Sequence, residues 1–285
     1  MADAPSGKKG FSRLDFSTIG GIILALGGIG AGLTMEGGRI QDIAQLTSVL
    51  IVLGGTIGAV MITTPLPTLI GAMKRCVQVF FGSEESPEAT IDEIIGYASQ
   101  ARKEGIVSLE TNAAAIEDPF LNKALSLAVD GIESSSIRDI MELEIQLLEE
   151  RVDAEAKVFE AAGGYAPTIG IIGAVLGLIQ VMKSLANIDE VGRGIAVAFV
   201  ATIYGVASAN LLFLPIAGKL KAKGRDAIQL RELMLEGVLS IADGVNQKLI
   251  RRKLDAYLSH GSTAKPSKER RRSASSRVSV EGFAE

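Results

Sequence analysis

The sequence contains no tryptophan, one cysteine (Cys76) and one histidine (His260). A lone cysteine excludes an intramolecular disulfide. Cys76 and His260 lie far apart in the chain, so no metal site is expected. No nucleophile–base pair and no nucleotide loop stands out, which argues against an enzyme. The GGIGAG tract at 27–32 has the glycines of a phosphate loop, but no strand pattern precedes it and no Lys-Ser/Thr follows. It reads instead as a close helix-packing face through Gly28 and Gly32. Without tryptophan, the aromatic residues at a membrane interface must be Tyr165 and the phenylalanines.

Charge is also missing, over long stretches. Residues 16–35, 43–73 and 194–217 contain no charged side chain, and 165–185 contains only Lys183. Lys183 lies near one end of its run, where a long side chain reaches the headgroups. An apolar run of about 20 residues spans the bilayer's hydrocarbon as a helix. The mean hydropathy of +0.31 and the 32 glycines agree with a membrane protein. The first run follows Lys8, Lys9 and Arg13 like a signal peptide, but it ends in GLTMEGG without a small-residue cleavage site, so a retained helix is expected. Pro65 and Pro67 are expected to break the second run, leaving a span at 47–64 with Gly54 and Gly58 as a packing face.

The charges that do exist are segregated. Residues 74–163 carry 8 Lys/Arg against 19 Asp/Glu, and residues 218–285 carry 15 against 8. Basic residues flank the apolar runs at 8–13, 74–75 and 219–225, whereas the two short loops on the other side carry only Arg39 and Arg193. The positive-inside rule places both termini and the 74–163 segment in the cytoplasm. That segment has helical apolar spacing at Ile91, Ile94, Ile95 and Ala98, with Gly105 ending the helix and Pro119 opening the next. A long helix is expected from the serines at 134–136 to about 162.

The expected fold is an all-α integral membrane protein. Four transmembrane helices carry a helical cytoplasmic insertion between helices 2 and 3. The parts are a cytoplasmic N-terminus (1–15), membrane helices 1 and 2 (16–73), an acidic helical cytoplasmic domain (74–163), membrane helices 3 and 4 (164–217), a cytoplasmic helical tail (218–260) and a disordered basic tail (261–285). The run KERRRSASSR in the basic tail can touch anionic lipid, but a merely solvated basic tail is the expected reading. No nucleic-acid partner is expected.

The last hairpin is the most informative stretch. Gly170, Ala174 and Gly177 share one face of its first helix, and Ala198, Thr202, Gly205 and Ala209 share one face of its second. Such faces let backbones approach closely. Pro167 is expected at the start of the first helix and Pro215 in the last turn of the second. None of the four runs contains Asp, Glu or His. Intramembrane ion relays are usually built on a titratable side chain. If the protein conducts ions, that group must come from another chain.

The segments YAPTIGIIGAVLGL, AVAFVATIYGVASANLLFLPIAGKLK and ARKEGIVSLE resemble the flagellar stator subunit family MotA/PomA. The resemblance extends over nearly the whole chain short of the last 25 residues or so. It implies a homopentamer of this chain around two MotB-type single-span helices, in the bacterial inner membrane, with an ion bound by a MotB aspartate. It implies further that Thr202 lines the ion path. Pro167 and Pro215 couple ion flow to movement, and Arg102 and Glu110 contact the rotor protein FliG. Sodium-driven members resemble this region but tend to have threonine where Ala174 stands. Alanine supplies no oxygen ligand to a hard cation, so the transported ion is expected to be H+ rather than Na+, with no other cofactor. An ExbB/TolQ-type energiser resembles the last hairpin too, but usually has three spans with the insertion after the first. A passive membrane scaffold would also lack intramembrane carboxylates.

Overall fold

The computed structural model describes residues 16–81, 86–113 and 116–261. The N-terminal segment and the basic tail lie outside the described residues. Among the described residues there is no strand. The main helices are α1 (Phe16–Met35), α2 (Leu46–Thr63), α3 (Leu66–Phe81), α4 (Pro87–Glu104), α5 (Pro119–Val129), α6 (Ser134–Lys183), α7 (Ile188–Ala242) and α8 (Gln247–Gly261). Three of them, α2, α6 and α7, are long and apolar enough to cross a membrane. The apolar stretch Gly20–Met35 of α1 is shorter.

The described residues form two compact units, one drawn from the ranges 1–84 and 146–225, the other from 85–145 and 226–285. In the first, α2 ends at Thr63 and Thr64 is extended (φ −124°, ψ 130°). Thr64 precedes Pro65, whose ring disfavours the helical region for the residue before it. Directly after Pro65 the chain re-forms a 16-residue helix, α3, with Pro67 in its first turn, where proline is tolerated. Its Ala72 packs with Val60, Ala156, Val158, Phe159, Ala162, Ala217 and Leu220 in one apolar cluster.

Two expectations are corrected here. Instead of ending near residue 162 and restarting, α6 runs unbroken for 50 residues, so Pro167 lies inside a helix and not at its start. Proline removes one N–H from the ladder and crowds the carbonyl four residues back, which is that of Gly163. Burial keeps the helix intact across this defect: Ala162 and Ala166 are buried, and Gly163 lies so close to Leu214 that a Cβ there would come within 2.6 Å of it. Pro215 does not end its helix either. A π-helical turn, Ser208–Phe213, directly precedes the segment Leu214–Ala242, in which Pro215 is the second residue. A widened turn re-registers the carbonyls that the proline cannot serve.

The second unit has its own core. Ile91, Ile94, Phe120, Leu121, Leu125, Ile137, Met141, Leu233, Ile250 and Leu254 are buried together. Asp118 caps α5 by accepting from the Leu121 backbone N–H at 2.8 Å, with Pro119 following it. That placement satisfies an orphan donor and uses proline where no N–H is required. Gly105, at φ +85°, terminates α4 as expected. Gly244, at φ +67°, makes the turn between α7 and α8.

Candidate functional site

The apolar parts of α6 and α7 cross on glycine. A Cβ built on Gly205 would lie 2.7 Å from the Ala166 carbonyl oxygen, 3.0 Å from Gly170 Cα and 3.2 Å from Pro167 Cα. One on Gly170 would lie 2.9 Å from the Ala201 carbonyl oxygen. Two turns further along α6, a Cβ on Gly177 would lie 2.8 Å from both the Ala198 nitrogen and the Gly194 oxygen. Every one of these neighbours is backbone. Only glycine fits, because the helices touch main chain to main chain.

This seam brings several of the expected residues together. Ala174 stands on α6 between Gly170 and Gly177 and is half-buried. Thr202 stands on α7 between Ala198 and Gly205, also half-buried. Its Oγ1 donates to the Ala198 carbonyl oxygen at 3.1 Å. The hydroxyl hydrogen is thus used by the helix backbone, and its oxygen lone pairs remain as acceptors. Pro167 is at the seam through its contact distance to Gly205. Pro215 is exposed and lies beyond the π turn.

α2 and the residues just before it are tied to the same region by polar groups. The Tyr204 hydroxyl donates to the Ile43 carbonyl oxygen at 2.8 Å, and buried Ser48 Oγ donates to the Val197 carbonyl oxygen at 3.4 Å. The glycines expected to pack α1 and α2 behave differently. Around Gly28, Gly32, Gly54 and Gly58 a Cβ would meet no atom within 4 Å, whereas Gly55 abuts Ile169 at 2.9 Å.

A buried ion pair in the first unit escapes the sequence pattern. Arg75 on α3 bonds Glu155 on α6, and Glu155 is 6% exposed. Gly71 makes room for it: a Cβ there would come within 2.8 Å of Glu155 Oε1. A carboxylate between buried Val152 and Ala156 was the only signal, and its partner is 80 residues away.

Arg102 and Glu110 belong to the second unit. Arg102 is in the last turn of α4, and Glu110 opens a short helix (Glu110–Ala113) after the 3-10 turn Ile106–Leu109. The loop is fixed from within by buried Leu109 and by Gln100 Nε2 donating to the Ser108 carbonyl oxygen at 3.2 Å. Both charges are exposed and neither forms an ion pair among the described residues. On the same helix, burial and then the Glu93 carboxylate, which accepts from the Tyr97 hydroxyl at 2.6 Å, push the Tyr97 phenol above its ordinary range. Among the described residues no cluster of His, Cys, Asp and Glu could hold a metal ion.

Residues 112–233 match the model of the MotA/TolQ/ExbB proton channel family, and residues 19–104 match that of the motility protein A N-terminal region. The chain is 40% identical to motility protein A of Bacillus subtilis over 249 residues, covering 86% of this chain and 91% of that one. It is 33% identical to chemotaxis protein PomA of Vibrio alginolyticus over 251 residues, 88% of this chain and 98% of the other. Among solved structures it is similar to C. jejuni MotAB, with TM-score 0.83 and 35% identity over 88% of this chain and 98% of that one. It is likewise similar to the flagellar MotAB stator complex from Bacillus subtilis, with TM-score 0.80 and 38% identity over 91% and 100%. The chain belongs to the motility protein A family, within the MotA/TolQ/ExbB proton channel family.

Proposed function

We infer that this protein is the MotA-type stator subunit of a flagellar motor, which with a MotB-type partner passes ions across the inner membrane and turns that flow into torque. The observation that carries the reading is the α6–α7 seam. It is a glycine-packed wall with one threonine hydroxyl and no titratable group of its own. A wall of this kind needs a carboxylate from another chain, and the similar solved structures are of MotA with MotB. In this reading the partner's aspartate binds the ion, Thr202 and Ala174 face its path, and Pro167 and Pro215 transmit the movement. Arg102 and Glu110, exposed on a braced loop, meet FliG. Five copies of this chain surround two partner helices. Each copy crosses the membrane four times with both ends in the cytoplasm.

The match of the motility protein A model to residues 19–104 favours a stator over an ExbB/TolQ-type energiser, since it covers α1, α2 and the start of the insertion. The test is complementation: a strain lacking this gene, paralysed but flagellated, swims when the chain is restored together with its partner. Normal swimming of the deletion strain, or failure of the chain to co-purify with a MotB-type subunit, would sink the reading.

A further inference from the structure

At the ends of α2, α6 and α7 opposite the Arg75–Glu155 pair, the three helices leave an open cleft of about 410 Å³. Its apolar lining is Ile51 from α2, Leu176 from α6 and Val197 from α7. The rim is polar, with Gln180, Glu190 and Arg193. Gly177 and Gly194, where the α6 and α7 backbones meet, line the cleft with these residues.

The rim charges are of opposite sign and one helical turn apart on α7, with Arg193 exposed and Glu190 half-buried. Yet Glu190 and Arg193 pair neither with each other nor with any group among the described residues. The site therefore offers an anion partner, a cation partner and a hydrocarbon slot side by side. A purely anionic amphiphile would set its charge against Glu190, and a purely cationic one against Arg193. A molecule with both charges joined to an acyl chain matches all three features. Resting on the membrane embedding read above, we propose that this cleft binds a zwitterionic phospholipid of the phosphoethanolamine type. Its phosphate meets Arg193, its ammonium meets Glu190, and its upper acyl chain lies on Ile51, Leu176 and Val197. Charge-assisted hydrogen bonds of this kind are roughly twice as strong as neutral ones.

The experiment is native mass spectrometry on the full chain, co-expressed with its partner and extracted in mild detergent. The extract is offered equal amounts of palmitoyl-oleoyl phosphatidylethanolamine and phosphatidylglycerol. The intact protein retains the ethanolamine lipid in preference. The double variant Glu190→Gln, Arg193→Gln lowers that retention by about tenfold, the loss of roughly one charged hydrogen bond. Val197→Phe fills the slot and lowers retention of both lipids while the complex stays assembled. Equal retention of the two lipids, or indifference to both variants, overturns the proposal. So does a photo-crosslinker at position 193 that captures a second protein chain and not lipid. The lipid readout is taken on the extracted chain whether or not it supports swimming, so a failed complementation and a failed lipid preference are told apart.

Discussion

Gly205 and Gly170 face each other across the α6–α7 seam so closely that a methyl group on either would meet backbone. Gly205→Ala is therefore expected to force the helices apart, at a cost of about 1 to 3 kcal/mol for overpacking that no side-chain rotation can relieve. Gly28→Ala and Gly32→Ala, where a Cβ meets open space, should leave the stability of the isolated chain unchanged. Thermal unfolding in detergent, followed by fluorescence-detected size exclusion, separates the two classes. A Gly28 variant that loses stability as much as Gly205→Ala would contradict the packing described.

That contrast shows where sequence pattern ends. The small-residue faces of α6 and α7 were legible because both sides of the contact lie in one hairpin. The same pattern at Gly28 and Gly54 did not identify a neighbour, because a stripe of glycines states that something can approach and not what does. The breaks at Thr64–Pro65 and Gly105 were legible because each is a backbone restriction carried by one or two residues. Pro167 and Pro215 were misplaced for the opposite reason: packing around Ala166 and the π turn before Pro215 hold helices together against a local breaker. The Arg75–Glu155 pair joins residues 80 positions apart, and no local rule finds such a partner.

The Arg75–Glu155 pair holds α3 on α6. With Glu155 nearly enclosed, Arg75→Met leaves a buried carboxylate without its partner and should cost about 3 to 5 kcal/mol. Replacing both, Arg75→Met with Glu155→Leu, removes the uncompensated charge and should recover much of that loss. A double-mutant cycle on melting temperature measures the coupling. Additive effects of the two changes would show that the pair is not an energetic unit.

Pro167 interrupts the hydrogen-bond ladder inside α6 at the seam. Pro167→Ala restores an N–H toward the Gly163 carbonyl, and proline in a helix interior costs about 3 kcal/mol. The variant should fold, insert and bind its partner at least as stably as the parent. Torque should nevertheless fall sharply if the interrupted ladder is the part that yields during the cycle. Bead-assay torque measured beside pull-down of the partner decides it. A variant that loses partner binding in proportion to torque assigns Pro167 a purely structural role.

Arg102 and Glu110 project from a loop braced by Leu109 and Gln100. Reversing either charge should change folding stability by no more than about 0.5 kcal/mol, because neither forms an ion pair among the described residues. Swimming should nevertheless suffer if an oppositely charged rotor surface meets them. Single neutralisations should be mild, since exposed pairs contribute about 0 to 1 kcal/mol each. A matching reversal on the rotor protein should restore part of the swimming speed. If no rotor reversal rescues either variant, direct pairing is wrong.

The last prediction concerns the ion. Thr202 gives its hydrogen to Ala198, so if it lines the ion path as proposed, only the oxygen's lone pairs are offered there. A proton needs a base and a hydrogen-bonded route, which an acceptor oxygen beside the partner's carboxylate helps to complete. Sodium needs several oxygens in place of its water, and Ala174 on the facing helix contributes only a methyl group. Swimming should therefore persist in sodium-free medium and stop with a proton uncoupler. Thr202→Ser keeps the oxygen and should retain much of the torque, while Thr202→Ala removes it and should lower torque severalfold, a loss of about 1 kcal/mol in a single hydrogen bond. Ala174→Thr adds an oxygen to the wall but not to the partner, so it should not by itself create sodium dependence. Motor speed that follows external sodium and ignores the uncoupler would overturn the assignment of the ion and leave the stator reading in place, because the glycine seam and the carboxylate proposed for the partner would serve either cation.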